Sequence, residues 1–340
     1  MKQEVDKKTA LIVGLGASGL ACAHHLGRRG WKIRAADTRE APAGAQRLGA
    51  EMPDAEIRTG GLPESLLDGV SLVVMSPGLS TRFGAAVPLV ASARARDIEV
   101  VGEIELFARA LADLEARTGY RPVVIGVTGT NGKTTTTHWI AALLTNFGTP
   151  CAVMGTVGCR FAGESFDMPA LTTPDAVSLQ GVYADLEKAG AKAFAVEASS
   201  IGLEQGRMTG SHFDTAVFTN LTRDHLDYHV TMDAYAEAKA ILFAWPGLRT
   251  AVVNVDDPYA GLMAETARKN GAAVWATTLT GVVPFAADHV VEASDIEATE
   301  AGTRFLMKVD GAATSVHLAQ VGGFNVSNFI QAATVLLAKG

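Results

Sequence analysis

The stretch GVTGTNGKTTTT, residues 126–137, constrains the fold of this 340-residue chain more than any other. It follows the apolar run PVVI and leads into a helix-like segment, TTTTHWIAALLTNFG. A glycine-rich loop between a strand and a helix turns its backbone N–H groups toward a phosphate. The stretch therefore predicts a phosphate site where a parallel strand of an α/β sheet ends.

This second glycine loop departs by one residue from the pattern G-x-x-x-x-G-K-[ST], because Val127 stands where the first glycine is expected. The residues that bind phosphate and metal in this pattern are still present: Lys133 would neutralise the β- and γ-phosphates, and the Thr134 hydroxyl would ligate Mg²⁺. A threonine-capped helix with a chance lysine is the alternative. The predicted cofactor-binding residues are Gly129, Thr130, Asn131, Gly132, Lys133, Thr134 and Thr135.

A carboxylate supports the phosphate interpretation. The run AKAFAVEASS, residues 191–200, predicts a strand that ends at Glu197. Ligands of α/β folds bind at that edge of the sheet, and Mg²⁺ prefers oxygen ligands. Glu197 is therefore a predicted metal ligand, with an ordinary solvated glutamate as the alternative.

A first glycine loop lies near the start of the chain. Gly14, Gly16 and Gly19 form G-x-G-x-x-G between a predicted strand and helix, and Asp37 follows 18 residues after Gly19. This spacing is typical of nucleotide sites in which glycines admit a phosphate and the carboxylate holds a ribose hydroxyl. A tight strand–helix turn without a ligand is the alternative, and the loop alone does not indicate NAD.

The order of elements predicts two α/β domains. Strands and helices alternate on both sides of a polar linker at 115–122, which gives a Rossmann-like first domain at 1–118 and a second domain at 119–340. Short alternating runs at 289–320 predict a small extra antiparallel sheet.

Composition excludes several classes of protein. The net charge of −7 leaves no polybasic surface, so nucleic acid is not an expected partner. No apolar run is long enough for a membrane span, and the amino terminus has no signal-peptide pattern. Three scattered cysteines form neither a disulfide framework nor a zinc motif, which predicts a cytoplasmic protein. A monomer is the expected state.

Six ordered motifs carry a resemblance to a known family. TGTNGKTTTT is followed by ALTTPDA, EASSIGLEQGR, TNLTRDHLDYH, YAEAKAILF and FNVSN. Together they resemble the ATP-dependent Mur ligases, which add amino acids to UDP-N-acetylmuramoyl peptides during peptidoglycan synthesis. The resemblance implies a P-loop NTPase-like central domain.

The two parts of the chain resemble different branches of that family. From about Pro122 onward, TTPDA, SSIGLEQGR and RDHLDYH resemble the ligases that extend UDP-N-acetylmuramoyl-L-alanyl-D-glutamate, usually with meso-diaminopimelate (the MurE type). Residues 9–121, with GLGASGLACAHHL, ADTR and VVMSPGLS, resemble the UDP-binding domain of the D-glutamate-adding ligases (the MurD type). The resemblance implies a hybrid, and the family's third, amino-acid-binding domain is not expected within these 340 residues.

The family reaction implies roles for individual residues. A substrate carboxylate attacks the γ-phosphate of ATP, and an amino acid then displaces phosphate from the acyl phosphate. The resemblance implies catalytic roles for Lys133 and Glu197, a place beside a second magnesium for His225, and a carbamylated lysine at Lys239. Metal ligation is thus expected from Thr134, Glu197, Lys239 and His225, and ATP contacts from Asn325 and Asn328. N-capping of the last helix is the alternative for the two asparagines.

Substrate contacts are implied in both domains. Those expected to bind the muramoyl peptide are Thr172, Thr173, Ser199, Gln205 and Arg207. Those expected to bind uracil or diphosphate are Leu15, Gly16, Ser18, Asp37, Thr38, Arg39, Ser76 and Gly78. The family often has histidine where this chain has Ile201 and Gly206.

Other functions remain to be weighed. His225 and His229 could form a zinc pair, although no H-E-x-x-H pattern is present. Asp224 and Asp227 could act as paired carboxylates. D-glutamate addition, a non-catalytic scaffold that binds UDP-sugar and ATP, an NAD-dependent oxidoreductase and a folylpolyglutamate-synthase-like enzyme are the alternative functions.

Overall fold

The structure is a computed structural model, and it describes residues 8–76, 79, 84–103, 105, 106, 109, 110, 113, 116, 123–169 and 171–340. The chain divides into two compact units, Met1–Thr118 and Gly119–Gly340. Gly78 and residues 117–122 of the predicted linker lie outside the described residues.

The first unit is built on a parallel sheet of five strands in the order β3-β2-β1-β4-β5. Its strands are β1 (Thr9–Val13), β2 (Lys32–Asp37), β3 (Glu56–Thr59), β4 (Val70–Met75) and β5 (Glu99–Gly102). Its helices are α1 (Ala17–Arg28), α2 (Ala43–Glu51) and α3 (Val87–Ala95), with a 3₁₀ turn at Glu64–Leu67.

Strand β1 lies at the centre of this sheet because its side chains are apolar on both faces. Ala10 and Ile12 pack into a cluster with α1, whereas Leu11 and Val13 pack into a second cluster with α3. Helices on both faces of a parallel sheet make the predicted Rossmann-like architecture, which is confirmed.

The second unit has one mixed sheet of 11 strands in the order β16-β15-β14-β13-β12-β11-β6-β10-β7-β8-β9. Its strands are β6 (Val123–Thr128), β7 (Cys151–Gly155), β8 (Gly158–Phe161), β9 (Glu164–Phe166), β10 (Ala193–Glu197), β11 (Phe213–Phe218), β12 (Thr250–Asn254), β13 (Ala273–Thr278), β14 (His289–Thr299), β15 (Gly302–Val309) and β16 (Ala312–Leu318).

The described helices of the second unit are α4 (Lys133–Asn146), α5 (Ala176–Lys188), α6 (Ser200–Glu204), α7 (Leu226–His229), α8 (Met232–Ala240), α9 (Ala260–Lys269) and α10 (Gly323–Leu337). The two longest are α4, which directly follows the nucleotide loop in sequence, and α10, which lies beside that loop through Asn328. Among the described residues, no helix combines the length and the apolar character that a bilayer crossing requires.

The predicted antiparallel strands are present, and they extend the main sheet instead of forming a separate one. β14 pairs in parallel with β13, and β15 and β16 then add antiparallel strands at that edge. At the other edge β8 and β9 add an antiparallel hairpin to β7. The seven central strands from β14 to β7 are parallel, so their carboxyl ends form one edge.

Apolar layers cover both faces of the parallel strands. On one face Ile140 and Leu144 of α4 pack with Val335 of α10 against buried strand residues. On the other face Tyr183 stacks on Phe194, with ring centroids 4.7 Å apart. This double burial fixes the strands, so the loops at their carboxyl ends start from a rigid base.

Candidate active site

Four adjacent parallel strands end at one place in the second unit. The nucleotide loop at 129–132 follows β6, and Glu197 is the last residue of the neighbouring strand β10. Thr156 follows β7 on one side, and Thr219 follows β11 on the other. The sheet therefore gathers residues that lie far apart in sequence.

The nucleotide loop approaches helix α10 closely. Gly132 has φ +84°, and a Cβ there would lie 2.4 Å from Oδ1 of Asn328, so no side chain fits. Asn328 is thus beside the loop, as predicted for an ATP contact, whereas Asn325 donates from Nδ2 to Val321 O over 3.0 Å. Thr135 is half-buried in the first turn of α4.

Lys133 is folded back onto the loop. Its Nζ donates to Gly129 O over 3.0 Å and to Thr130 O over 2.9 Å. Burial lowers the pKa of Lys133. These backbone carbonyls are weaker partners for an ammonium than a phosphate is, so a bound polyphosphate can draw the side chain to itself.

A second loop braces the first one, and sequence reasoning did not single out its residues. Thr130 N donates to Asn220 O over 2.8 Å, and Asn131 N donates to Asn220 Oδ1 over 3.0 Å. Thr219 Oγ1 donates to Asn131 O over 2.6 Å. The only signal was that these residues lie in the motif TNLTRDHLDYH, which was quoted as a whole.

Glu197 is a buried carboxylate with a 1 % exposed side chain set among hydroxyl groups. Its Oε1 accepts from Thr134 Oγ1 at 2.8 Å and from Thr156 N at 3.1 Å, and its Oε2 accepts from Thr156 Oγ1 at 3.0 Å. Thr134 and Glu197, both predicted metal ligands, are therefore in direct contact. Thr156 is a further residue that sequence reasoning missed.

Lys239 lies beneath the loop and is 1 % exposed. Its Nζ donates to Gly129 O over 2.9 Å and lies 4.3 Å from the ring centroid of Tyr235. Burial lowers the pKa of Lys239 well below its usual range, and the nearby Lys133 acts in the same direction. A desolvated, neutral amine is the state that the resemblance requires at this position.

His225 and His229 do not form a metal pair. His225 precedes α7 with φ +51°, and its ring meets Tyr235 edge-on. His229 is buried with Nε2 2.8 Å from Ser200 Oγ. In the part of the chain that the structure describes, no three His, Cys, Asp or Glu side chains are grouped to hold a metal ion.

The residues predicted to bind the muramoyl peptide form a connected group next to Glu197. Thr173 Oγ1 donates to Glu197 O over 3.0 Å and lies 2.9 Å from Ser199 Oγ. Thr172 Oγ1 is 3.2 Å from Thr156 Oγ1. Arg207 donates from Nη1 to Thr173 O over 3.1 Å and from Nε to the Gln205 side chain over 2.9 Å.

In the first unit, the strand-end carboxylate is bonded to its own loop. Asp37 is 2 % exposed; its Oδ2 accepts from Leu15 N at 2.8 Å and its Oδ1 accepts from Arg39 N at 2.9 Å. The Arg39 guanidinium also binds both oxygens. These bonds, above all the one from the Arg39 side chain, hold the pKa of Asp37 well below its usual range.

The remaining predicted residues of the first unit surround the same loop. Gly16 is the N-cap of α1, Ser18 lies in its first turn, and Thr38 directly follows Asp37. Ser76 follows β4, and its N–H donates to Val13 O over 2.9 Å. A Cβ on Gly19 would lie 1.9 Å from Gly14 O, so this glycine allows α1 to pack against the loop.

Comparison with known proteins gives two family matches in the same order as the two units. Residues 8–102 match the family described as "Mur ligase MurD-like, N-terminal domain". Residues 127–336 match the family described as "Mur ligase middle domain".

Relatives of two names match at similar identity. A UDP-N-acetylmuramoyl-L-alanyl-D-glutamate–2,6-diaminopimelate ligase of Ralstonia nicotianae is 45% identical over 283 residues, 82% of this chain and 53% of the relative. A UDP-N-acetylmuramoylalanine–D-glutamate ligase of Cupriavidus pinatubonensis is 44% identical over 253 residues, 74% of this chain and 46% of the relative. The chain spans about half the length of these relatives.

A solved structure gives the same likeness. It is that of a UDP-N-acetylmuramoyl-L-alanyl-D-glutamate–2,6-diaminopimelate ligase, with a TM-score of 0.67 and 31% identity. The match covers 92% of this chain and 57% of that chain.

Proposed function

The chain belongs to the Mur ligase family, and on that premise we propose that it is the UDP- and ATP-binding part of an ATP-dependent amide ligase of peptidoglycan precursor synthesis. Its substrate is a UDP-N-acetylmuramoyl peptide, and its place of action is the cytoplasm, where ATP is available. The single observation that carries this proposal is the contact of Thr134 with Glu197 beside Lys133, at the point where β6 and β10 end.

The first half of the reaction is a phosphoryl transfer. A carboxylate oxygen of the substrate attacks the γ-phosphorus of ATP, the bond to the β-phosphate oxygen breaks, and ADP leaves. Two anions must approach each other, so cations are needed. Lys133 supplies one positive charge when its Nζ moves from the loop carbonyls to the phosphates.

The second half forms the amide. The amine nitrogen of an amino acid attacks the acyl carbon, inorganic phosphate leaves with the C–O bonding electrons, and the amine loses its proton. Phosphate is a far better leaving group than oxide, which is why the carboxylate must be activated first. Thr172 contacts Thr156, and Thr173 contacts the backbone of Glu197, so both threonines lie in the group that would hold the substrate end to be activated.

The side chains near Glu197 fit Mg²⁺. They offer a carboxylate and the hydroxyl of Thr134, and hard oxygen donors of this kind, completed by phosphate and water, are what Mg²⁺ prefers. When bound there, Mg²⁺ would offset the negative charge of the phosphates. Thr134 can rotate its hydroxyl from Glu197 to the ion without any change of the backbone.

Lys239 would supply a further oxygen ligand if carbamylated. Its neutral amine can add to carbon dioxide, with loss of one proton, to give an anionic carbamate. The buried position and the contact with Gly129 O support this role, because a carbamate there would face the nucleotide loop. His225, at the edge of the same group, would lie beside the second metal.

The first unit would hold the UDP part of the substrate. Leu15, Gly16 and Ser18 present the loop and the first turn of α1 to a diphosphate. Asp37 already accepts hydrogen bonds from Leu15 N and Arg39, so we assign it to shaping the loop. Thr38, Arg39 and Ser76 would border the uracil.

We favour the substrate of the MurE type, UDP-N-acetylmuramoyl-L-alanyl-D-glutamate, with addition of meso-diaminopimelate or lysine. The motifs TTPDA and SSIGLEQGR support it, and the guanidinium of Arg207, next to Thr173 and Gln205, would suit an extra carboxylate. D-glutamate addition to the monopeptide is the second candidate, favoured by the MurD-like first domain. A scaffold that binds both ligands without turnover is the third.

Calorimetry tests these proposals directly. UDP-N-acetylmuramoyl-L-alanine and its L-alanyl-D-glutamate extension are titrated into the chain with a non-hydrolysable ATP analogue and Mg²⁺, and into Lys133→Ala as the control. Tighter binding of the dipeptide form supports the MurE type, and tighter binding of the monopeptide supports D-glutamate addition. Binding of neither peptide contradicts the proposed function, and so does an equal affinity of Lys133→Ala and the unaltered chain for the ATP analogue, titrated by itself with Mg²⁺.

A further inference from the structure

His229 is a buried histidine to which none of the roles above applies. Its side chain is 2% exposed, with Nδ1 3.3 Å from Glu204 Oε2 and Nε2 2.8 Å from Ser200 Oγ. Nε2 and the Ser200 hydroxyl are within hydrogen-bond distance, and Nδ1 faces the Glu204 carboxylate. Both ring nitrogens are therefore engaged by the two ends of α6.

The face of the His229 ring lies on Tyr235. The two rings are stacked, with centroids 5.0 Å apart and planes 23° from parallel. Tyr235 is fully buried in α8. A stacked pair of this kind contributes about 0.5–1.5 kcal/mol beyond the area it buries.

Tyr235 in turn contacts the nucleotide loop. Its hydroxyl oxygen is 3.3 Å from Thr130 Oγ1, and its ring faces Lys239 Nζ at 4.3 Å. Thr130 Oγ1 also accepts from Thr222 N at 2.9 Å. The position of the Tyr235 ring therefore affects the positions of both Thr130 and Lys239.

We propose that His229 is a positioning residue for the nucleotide loop: Ser200 and Glu204 hold its ring, and its ring holds Tyr235 against Thr130 and Lys239. The contact that links His229 to the loop is its stacking on Tyr235, whose hydroxyl oxygen lies 3.3 Å from Thr130 Oγ1. The inference rests on the proposed function in one respect, the assignment of residues 129–132 to a nucleotide.

A double-mutant cycle tests the route through Tyr235. The dissociation constant for Mg-ADP is measured by calorimetry for the unaltered chain, His229→Asn, Tyr235→Leu and the double variant. We expect His229→Asn to raise this constant about 2- to 10-fold. In the Tyr235→Leu background the same change should have an effect within about 1.5-fold, because the partner of the ring is already gone.

Equal effects of His229→Asn in both backgrounds would overturn the inference, since they would show a route that avoids Tyr235. His229→Phe, which keeps a ring to stack, should bind Mg-ADP better than His229→Asn and decides the matter if Tyr235→Leu does not fold. The matched control is His317→Asn, an exposed histidine on β16 that should leave the constant unchanged.

A second measurement does not need the nucleotide. Amide hydrogen exchange at Thr130 and Asn131, whose N–H groups are bonded to Asn220, should be faster in His229→Asn than in the unaltered chain. Unchanged exchange in a folded His229→Asn variant contradicts the inference. Failure of the unaltered chain to bind Mg-ADP contradicts the proposed function instead, and the exchange rates still decide the role of His229.

Discussion

The two glycine loops of this chain share a plan and differ in what their carboxylates do. Each loop follows a central parallel strand, and each has a buried carboxylate at the end of the neighbouring strand, Asp37 in one case and Glu197 in the other. Asp37 is bonded to two backbone N–H groups and a guanidinium. Glu197 is bonded to two threonine hydroxyls and one backbone N–H.

This difference separates a structural carboxylate from one available for chemistry. The backbone N–H groups of Leu15 and Arg39 cannot leave Asp37 without reshaping the loop. The hydroxyl of Thr134 can rotate and release Glu197 Oε1 to a metal ion at little cost, while the hydroxyl of Thr156 keeps Oε2 in place. The same motif plan therefore gives a carboxylate held by backbone N–H groups in one unit and a carboxylate held mainly by hydroxyl groups in the other.

The largest expected effect is that of Glu197→Gln. An amide is a poor Mg²⁺ ligand, so we expect the apparent affinity for Mg²⁺, titrated in the presence of ADP, to fall by about 100-fold. The control is Glu187→Gln, an exposed glutamate near the end of α5. A shift in Mg²⁺ affinity of less than about 3-fold for Glu197→Gln would remove Glu197 from the metal site and with it the contrast to Asp37.

Asp37→Asn should instead act on stability. It removes charged hydrogen bonds inside the first unit, which we expect to cost about 2 kcal/mol. Hydrogen exchange of the β1 amides should report that loss, while the β6 amides stay unchanged. The control is Asp54→Asn at an exposed site. Equal loss in both strands would contradict the assignment of Asp37 to the first loop alone.

The effect of Asp37→Asn should also depend on pH. The pKa of Asp37 is lowered in the folded state, mainly by the Arg39 side chain. Its stabilisation is therefore fully present above the unfolded pKa of about 3.9 and is lost as the pH falls below that value. The difference between the variant and the unaltered chain, measured by exchange at pH near 7 and near 3, should shrink at the lower pH; a constant difference would contradict the linkage.

The sequence predicted the family, the two α/β domains' architecture and the antiparallel strands, and these predictions are confirmed. Lys133 and Glu197 were found because glycine loops and strand ends are visible in a linear pattern, whereas Lys239 came only from the resemblance to the family. The individual site roles stay predictions, and relatives of both ligase names match at similar identity, so the substrate stays a proposal.

The sequence did not reveal the residues that act through the fold. Thr156 and Asn220 carry no motif of their own, and only the parallel register of β7, β10, β6 and β11 brings them to Glu197 and to the loop. His229 was noted only as a metal candidate, because its contacts with Ser200 and Tyr235 join segments far apart in the chain. Long-range contacts of this kind follow from topology, and periodicity does not encode them.

Thr156→Val tests how the hydroxyl groups around Glu197 differ from the backbone N–H groups around Asp37, and its expected effect on Mg²⁺ affinity is smaller. Valine keeps the shape and the backbone N–H but removes the hydroxyl that lies between Glu197 and Thr172. We expect the Mg²⁺ affinity in the presence of ADP to fall about 10-fold, the value of one hydrogen bond to a charged group. Thr156→Ser, which keeps the hydroxyl, should stay within about 2-fold. Equal Mg²⁺ affinities of the two variants would contradict the special role of the hydroxyl, because only Thr156→Ser keeps it.

The smallest expected effect concerns backbone strain at the two ends of α7, in the second unit. The described part of the first loop has a positive φ at Gly14, where glycine bears no penalty, whereas His225 and Val230 flank α7 with φ +51° and +67°. Val230 is β-branched and 77% exposed, so its conformation is strained without any burial in return. Val230→Gly should raise the free energy of unfolding by about 1 kcal/mol. Val282→Gly, at an exposed valine without a positive φ, should lower it by about 0.5 kcal/mol. Urea unfolding of both variants decides the point: equal destabilisation would mean that the turn after α7 stores no strain, and that the second site differs from the first in its carboxylate chemistry alone.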